Sequence, residues 1–418
     1  MPDIRLVLGI WLITGVVDGV VHVALRRRRW NWSVGLVLHV GWSLLLWWGV
    51  LGMGVHPDPM IRAGVGIILT AAMATAVLMP LTGEVDLRDY AVLAWITGAV
   101  LYAVQVTDPL AVAFMIGAGS ALVAGWWFYC APGTETLRAA RLLGVAAGLL
   151  LAAAIFLPVQ VTAVATKFAF VAWLYIAVLV IYTGCIPVQG WLVSVLHRLQ
   201  GRHLLLWISV VVPGTLIVLE RAIQIQPLPV QNIILQTTLG IGCISAVWEG
   251  ILSVRISSPR ERHARLLLMD IALMVVGVGS GSPYGWTGTF LLVLVHVGTL
   301  AFVGDREGST TGRKGRMGAW IFLGGIPFTG VFWGRWLILL AAWDVGSWYP
   351  WFVLAAMGLA SFSSFRQARF ERDLPEVTPA FRSWIPLGIL SLQLVLGLAP
   401  ATICSFVFGM TLLPGVGH

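Results

Sequence analysis

Arg335 is the residue of this sequence that most clearly requires a polar partner, because it is a single cation inside the apolar run GGIPFTGVFWGRWLILL at 324–340. An arginine at mid-membrane depth costs at least ~2.5 kcal/mol on insertion scales, so it should face a polar interior or a partner. Three carboxylates are candidate counter-charges, on Asp270, Glu249 and Asp344. We predict that Arg335 points inward and contacts a carboxylate, a helix-end carbonyl or water; the alternative is snorkelling to the membrane surface.

Two apolar runs share a helix-breaking pattern, GCIPVQG at 184–190 and GGIPFTG at 324–330. Proline removes a helical hydrogen bond and glycine loosens the turn, so each run is predicted to unwind within the membrane. Paired broken helices in two halves point to an internal repeat around an ion path. The predicted break positions are Pro187, Gly190, Pro327 and Gly330.

Residue patterns typical of enzymes are absent from the sequence. There is no glycine-rich phosphate loop, no pair of histidines at helical ligand spacing and no nucleophile constellation. The four cysteines lie in apolar stretches without ligand spacing, at Cys130, Cys185, Cys243 and Cys404. We predict no catalytic residue, no cofactor and no metal site in this chain.

The composition is that of a polytopic helical membrane protein. Hydrophobic residues make up 59% of the 418 residues, charged residues only 11%, and the mean hydropathy is +0.91. No soluble interior could hide that much apolar surface. Apolar runs of membrane-spanning length predict an all-α fold with about 14 transmembrane helices. The predicted spans are 5–25, 32–54, 61–82, 90–107, 109–130, 142–160, 168–196, 203–222, 229–254, 266–282, 286–303, 318–343, 349–365 and 383–412.

Basic residues predict the orientation of these spans. Loops on one side hold 21 of the 26 Lys and Arg residues, which places them in the cytoplasm and both termini outside. The net charge of +8 then reports orientation and affinity for anionic phospholipids, not for nucleic acid. We predict a multi-pass protein of the bacterial inner (plasma) membrane.

Four stretches together resemble a known family of membrane subunits. IPVQGWL at 186–192, RERHARLLLMDIALMVVGVGSGSPYG at 260–285, LVLVHVGTLAFV at 292–303 and the Arg335 run occur in the family's order. They are similar to motifs of the antiporter-like proton-channel subunits of respiratory complex I, membrane-bound hydrogenases, multi-subunit sodium/proton antiporters and inorganic-carbon pumps. The resemblance implies one membrane domain over 1–418, with helices 1–3 in 1–89, two inverted five-helix repeats in 90–222 and 229–366, and helix 14 in 383–412.

The departures from the family concern its titratable groups. The family's fifth-span glutamate has no counterpart, since no acidic residue occurs between Asp108 and Glu135. The position of its seventh-span lysine falls at about Tyr182. Of the family's charged positions only the one on the twelfth span is charged here, and its residue is Arg335. Unlike lysine, arginine does not release its proton in proteins.

The resemblance places Asp270 at a family histidine position and matches His296 to the family's helix histidine. Ion-path candidates are therefore Arg335, Asp270, His296, Glu249 and Tyr182. Alternatives stay open, because Asp270 and Glu249 lie near a basic loop, and His296 could be a hydrogen-bonded core histidine.

The sequence favours a divergent antiporter-like subunit of a larger energy-converting membrane complex, with a structural or ion-translocation role. Its partners would be other membrane subunits and phospholipids. A first alternative is a working proton-channel subunit coupled to inorganic-carbon uptake or to cation/proton antiport. A second is a stand-alone secondary transporter. We expect the chain not to be catalytic by itself; whether it is a subunit of an ion-translocating oxidoreductase stays open.

Overall fold

The computed structural model describes residues 37, 39–41, 59–79, 87–105, 108–160, 166–198, 201–224, 228–303 and 313–372. Within these ranges the chain is helical, the helices are joined by short turns, and there are no strands. This agrees with the all-α prediction. The first and last predicted spans, and most of the second, fall outside the described residues.

The helices are numbered here in chain order. They are α1 (Pro59–Leu78), α2 (Leu87–Gln105), α3 (Pro109–Cys130), α4 (Thr134–Gln160), α5 (Thr166–Thr183), α6 (Gly190–Arg198), α7 (Gly201–Leu206), α8 (Val212–Gln224), α9 (Leu228–Arg255), α10 (Pro259–Gly279), α11 (Pro283–Val303), α12 (Arg313–Leu323), α13 (Gly330–Val345) and α14 (Tyr349–Arg372). A π-helical turn, Trp207–Val211, joins α7 to α8. The pairs α5–α6, α7–α8 and α12–α13 each fall in one predicted span, so the labels do not number the spans.

Several helices continue beyond the apolar runs that predicted them. The tenth predicted span starts at residue 266, but α10 starts at Pro259, after an N-cap at Ser258 whose hydroxyl accepts from the Glu261 amide. The thirteenth was predicted to end at residue 365, but α14 continues to Arg372. Hydropathy detects only the apolar part of a helix, whereas capping and packing decide where it ends.

Four described segments are long and apolar enough to cross a membrane by composition alone: Pro109–Cys130, Thr134–Phe156, Leu204–Arg221 and Val230–Arg255. Together with the composition of the whole chain they indicate a membrane location. The total of 14 spans, the two inverted repeats and the sidedness of the loops stay predictions.

Both predicted helix breaks are present in the structure. Helix α5 ends at Thr183 and α6 starts at Gly190; α12 ends at Leu323 and α13 starts at Gly330. Gly184 and Gly325 begin the breaks with φ of +66° and +72°, values that glycine adopts without a Cβ clash.

A serine from a neighbouring helix supports each break. The amide of Ile186 donates to Ser245 Oγ on α9 over 3.0 Å. Ser361 Oγ on α14 donates to the carbonyl of Gly324 over 2.6 Å. These hydroxyls satisfy backbone groups that the interrupted helices leave without their regular partners.

Helices α11 and α13 approach each other through glycine. A Cβ added at Gly288 would lie 2.5 Å from the carbonyl oxygen of Gly334, and one added at Gly334 would lie 2.8 Å from Leu292 Cγ. Small residues let two backbones pack this closely in membrane proteins. Because Arg335 follows Gly334, this contact holds the arginine against α11.

Candidate functional site

The side chain of Arg335 lies inside the helix bundle and binds the carboxylate of Asp270. Its Nε donates to Asp270 Oδ1 and its Nη2 donates to Asp270 Oδ2, each over 2.8 Å. Arg335 is 1% exposed and Asp270 is fully buried. Of the three carboxylates that the sequence offered, the structure therefore pairs Arg335 with Asp270 across α13 and α10. Two parallel hydrogen bonds to one carboxylate are the strongest geometry available to an arginine.

His296 on α11 completes a three-residue cluster around that carboxylate. Its Nε2 lies 2.8 Å from Asp270 Oδ2, and the ring is fully buried. An ionised carboxylate only accepts hydrogen bonds, so we assign the proton to Nε2 and leave Nδ1 as the acceptor of the neutral ring. In that state the cluster of Arg335, Asp270 and His296 carries one positive and one negative charge and is neutral as a unit.

Two buried nitrogens of this cluster have no hydrogen-bond partner among the described residues, namely Arg335 Nη1 and His296 Nδ1. The Arg335 atom lies beside the second helix break, since a Cβ added at Gly325 would be 3.0 Å from Nη1. Only glycine leaves this space open at the break. The two nitrogens are the places where the cluster could bind a water molecule or a small polar group.

The structure separates Glu249 from the cluster. Both Glu249 oxygens accept from Arg265 Nη1, over 3.2 Å and 3.0 Å, across the hairpin formed by α9 and α10. Arg265 also lies 3.9 Å from Glu261, one turn before it on α10. The third carboxylate considered, Asp344, is exposed near the end of α13. Glu249 therefore belongs to an ion pair near the end of the hairpin.

Tyr182 occurs in a separate, uncharged contact. Its hydroxyl is 2.7 Å from Ser120 Oγ on α3, and Ser120 donates to the Ile116 carbonyl over 2.7 Å. Tyr182 is 1% exposed. In the family that the sequence resembles, a lysine at this seventh-span position pairs with a fifth-span glutamate. Here two hydroxyl groups from the corresponding helices meet, so this contact holds no charge.

Tryptophans fill the space beside Tyr182. Trp207, in the π-helical turn, packs against three aromatic rings: Trp127, Tyr182 and Trp191, at centroid distances of 5.2, 6.3 and 5.9 Å. Trp127 and Trp207 are fully buried. These large apolar rings pack the interior beside Tyr182 and add no charge to it.

A second buried polar network was missed in the sequence. Gln367 and Glu371, one turn apart on α14, are joined by a 3.1 Å hydrogen bond. Glu371 binds Arg316 Nε over 3.1 Å, and Gln367 accepts from Arg262. The predicted spans leave these residues in loops, because the charges at the ends of α10, α12 and α14 interrupt the apolar runs. The spacing of Gln367 and Glu371 on one helical face was the available signal.

Comparison with known proteins shows the fold and nothing finer. No protein-family model and no curated protein matches this sequence. A chain of the membrane-bound sulfane sulfur reductase, an archaeal respiratory membrane complex, is similar with a TM-score of 0.78 and 14% identity, over 99% of this chain and 79% of that chain. A chain of respiratory complex I from Thermus thermophilus is similar with a TM-score of 0.74 and 16% identity, over 95% and 98%.

A third similar chain belongs to the Mrp complex of Dietzia sp., with a TM-score of 0.75 and 16% identity. The match covers 97% of this chain but only 51% of the Mrp chain, so this protein spans about half the length of that relative. The class of protein is thereby defined by its fold alone: this chain has the same fold as chains from these three membrane complexes. The resemblance noted in the sequence is confirmed at that level.

Proposed function

We propose that this chain is an integral membrane subunit of a larger energy-converting complex and that its buried charge pair serves a structural role. Support comes from the fold, which it shares over nearly its whole length with chains from three membrane assemblies. The assignment of the role depends on one observation, the bidentate contact between Arg335 and Asp270. An arginine keeps its proton, so this pair is suited to hold helices together and not to pass protons on.

Assembly is the first expectation from this proposal. Protein solubilised gently from its native membrane should migrate with other membrane subunits, at a native mass well above the 45.2 kDa of the chain. Native mass spectrometry of that material measures the mass and identifies the companions. A monodisperse monomer or simple homodimer that transports a solute in liposomes would contradict the proposal and favour a stand-alone transporter.

A working proton-channel subunit is the second candidate, and His296 favours it. The ring contacts Asp270 through Nε2 and has Nδ1, a nitrogen that can accept a proton, without a partner among the described residues. A proton accepted at Nδ1 would charge a cluster that is otherwise neutral. In this candidate the chain would serve inorganic-carbon uptake or cation/proton antiport as part of its complex.

Proton flux separates the two candidates. We expect the isolated chain in liposomes, loaded with a pH-sensitive dye, to show no flux above that of empty liposomes. The physical reason is that Tyr182 contacts a neutral hydroxyl and the Trp207 indole, while Arg335 binds the Asp270 carboxylate in an ion pair. Fast flux that Asp270→Asn or His296→Gln abolishes, at equal protein incorporation, would support the channel. Tyr182→Phe tests in the same way the ion-path candidate in the uncharged contact.

A further inference from the structure

Helix α14 has two faces of different chemistry. Its buried face carries Gln367 and Glu371, which bind Arg262 and Arg316 inside the bundle. Its outer face exposes Phe362 and Phe365, with 60% and 44% of their surface accessible. Arg366 and Arg369 are exposed as well. Residues 362, 365, 366 and 369 are separated by three and four positions, so they share one face of the helix.

Positive charge on this outer face is reinforced by α9. Arg366 Nη1 donates to the carbonyl of Val254 over 3.0 Å, next to the exposed Arg255 at the end of α9. Glu371 is the one carboxylate in the sequence of α14, and it is buried against Arg316 and Gln367. The negative charge of α14 is therefore used inside the protein, whereas its arginines face outward. We call Arg255, Phe362, Phe365, Arg366 and Arg369 the basic–aromatic surface.

The same face stays apolar toward the other end of α14. Gly358 is exposed with nothing within 4 Å of an added Cβ, and Trp351 is 60% exposed. From Trp351 to Phe365 the helix rises by about 21 Å, which exceeds the ~15 Å of hydrocarbon in one leaflet. An apolar helix face of that length that ends in guanidinium groups matches the chemistry of a lipid molecule: acyl chains beside the rings and an anionic headgroup at the arginines.

We infer that the basic–aromatic surface binds an anionic phospholipid, with the phosphate held by Arg255, Arg366 and Arg369 and the acyl chains packed on Phe362 and Phe365. The inference rests on the membrane location of the chain and is independent of the proposed function. Charge complementarity selects the headgroup, since arginine presents paired donors that match phosphate oxygens. Each basic residue near an anionic membrane surface strengthens binding several-fold.

Native mass spectrometry of the delipidated full chain tests this inference. Phosphatidylglycerol and phosphatidylcholine with identical acyl chains are titrated separately onto the protein in detergent. We expect the wild type to prefer phosphatidylglycerol by roughly tenfold or more. The triple variant Arg255→Gln, Arg366→Gln, Arg369→Gln should lose most of that preference. The matched control, Arg138→Gln with Arg141→Gln, removes two arginines of α4 that are also exposed and should keep it.

Two further measurements distinguish a lipid from other occupants. Glycerol phosphate, which lacks acyl chains, should not displace bound phosphatidylglycerol at comparable concentration; displacement would overturn the inference, because it would mean that the surface binds any phosphate. Retention of the lipid preference by the triple variant would overturn it as well. So would a protein subunit that occupies this surface in the native complex and is released by the triple variant while lipid binding is unchanged.

Discussion

Replacing Arg335 with methionine is expected to cost about 3–5 kcal/mol of stability, because it leaves the Asp270 carboxylate buried without a counter-charge. Both residues are almost fully enclosed, and two hydrogen bonds of 2.8 Å join them. We expect Arg335→Met to reduce the amount of monodisperse protein after solubilisation and to lower its thermal midpoint. Arg335→Lys keeps the charge on a compact ammonium group and should retain assembly and most of the function.

The double variant Asp270→Asn with Arg335→Met is the informative control. It removes both charges and keeps an oxygen that accepts from His296 Nε2. Replacing a buried ion pair by neutral groups is often nearly neutral for stability, whereas breaking it from one side is not. The double variant should therefore be more stable than Arg335→Met alone. If Arg335→Met is fully tolerated in the intact complex, the pair has no structural role and our proposal is wrong.

Gly288→Ala is expected to destabilise the protein by about 1–3 kcal/mol, the usual range for overpacking. The new Cβ would lie 2.5 Å from the Gly334 carbonyl oxygen, and backbone atoms cannot turn aside as a side chain does. Relief requires α11 and α13 to separate, which moves Arg335 relative to His296. Thermal unfolding in detergent, followed by the loss of monodisperse protein, measures the effect.

Gly240→Ala is the matched control for this glycine contact. It is the same substitution in a helix interior, on α9, but nothing lies within 4 Å of its added Cβ. Alanine there should be neutral or stabilising by about 0.5–1 kcal/mol, because glycine is the poorer helix former. Equal thermal midpoints for Gly288→Ala and Gly240→Ala would show that the α11–α13 contact is less tight than the structure indicates.

The sequence predicted that Arg335 faces inward, but not its partner. The inward direction follows from the free-energy cost of placing an arginine in the hydrocarbon of the membrane, and its depth in an apolar run can be read from the sequence. Asp270, Glu249 and Asp344 could not be ranked, because the choice depends on how α10 and α13 are rotated against each other. In the structure the packing of these helices brings Asp270 to Arg335, whereas Glu249 binds Arg265. Whether any of these groups forms an ion path stays a prediction.

The two helix breaks were predictable because their cause is local. Proline and glycine disrupt a helix wherever they occur, so GCIPVQG and GGIPFTG place the interruptions without knowledge of the fold. The serines that support the breaks could not be predicted, because Ser245 and Ser361 lie far along the chain from the backbone atoms that they bind in those breaks. The network around Glu371 was missed for a related reason: its residues fall in the predicted loops, outside the apolar spans.

The neutrality of the Arg335–Asp270 pair has an electrical consequence. A unit of zero net charge requires no net work to shift along the membrane field, whereas each elementary charge that crosses the full potential involves about 2.3 kcal/mol per 100 mV. While His296 is neutral, movement of the whole cluster would be insensitive to voltage. Protonation of His296 at Nδ1 would add one charge at a buried position, and the same movement would then draw energy from the membrane potential.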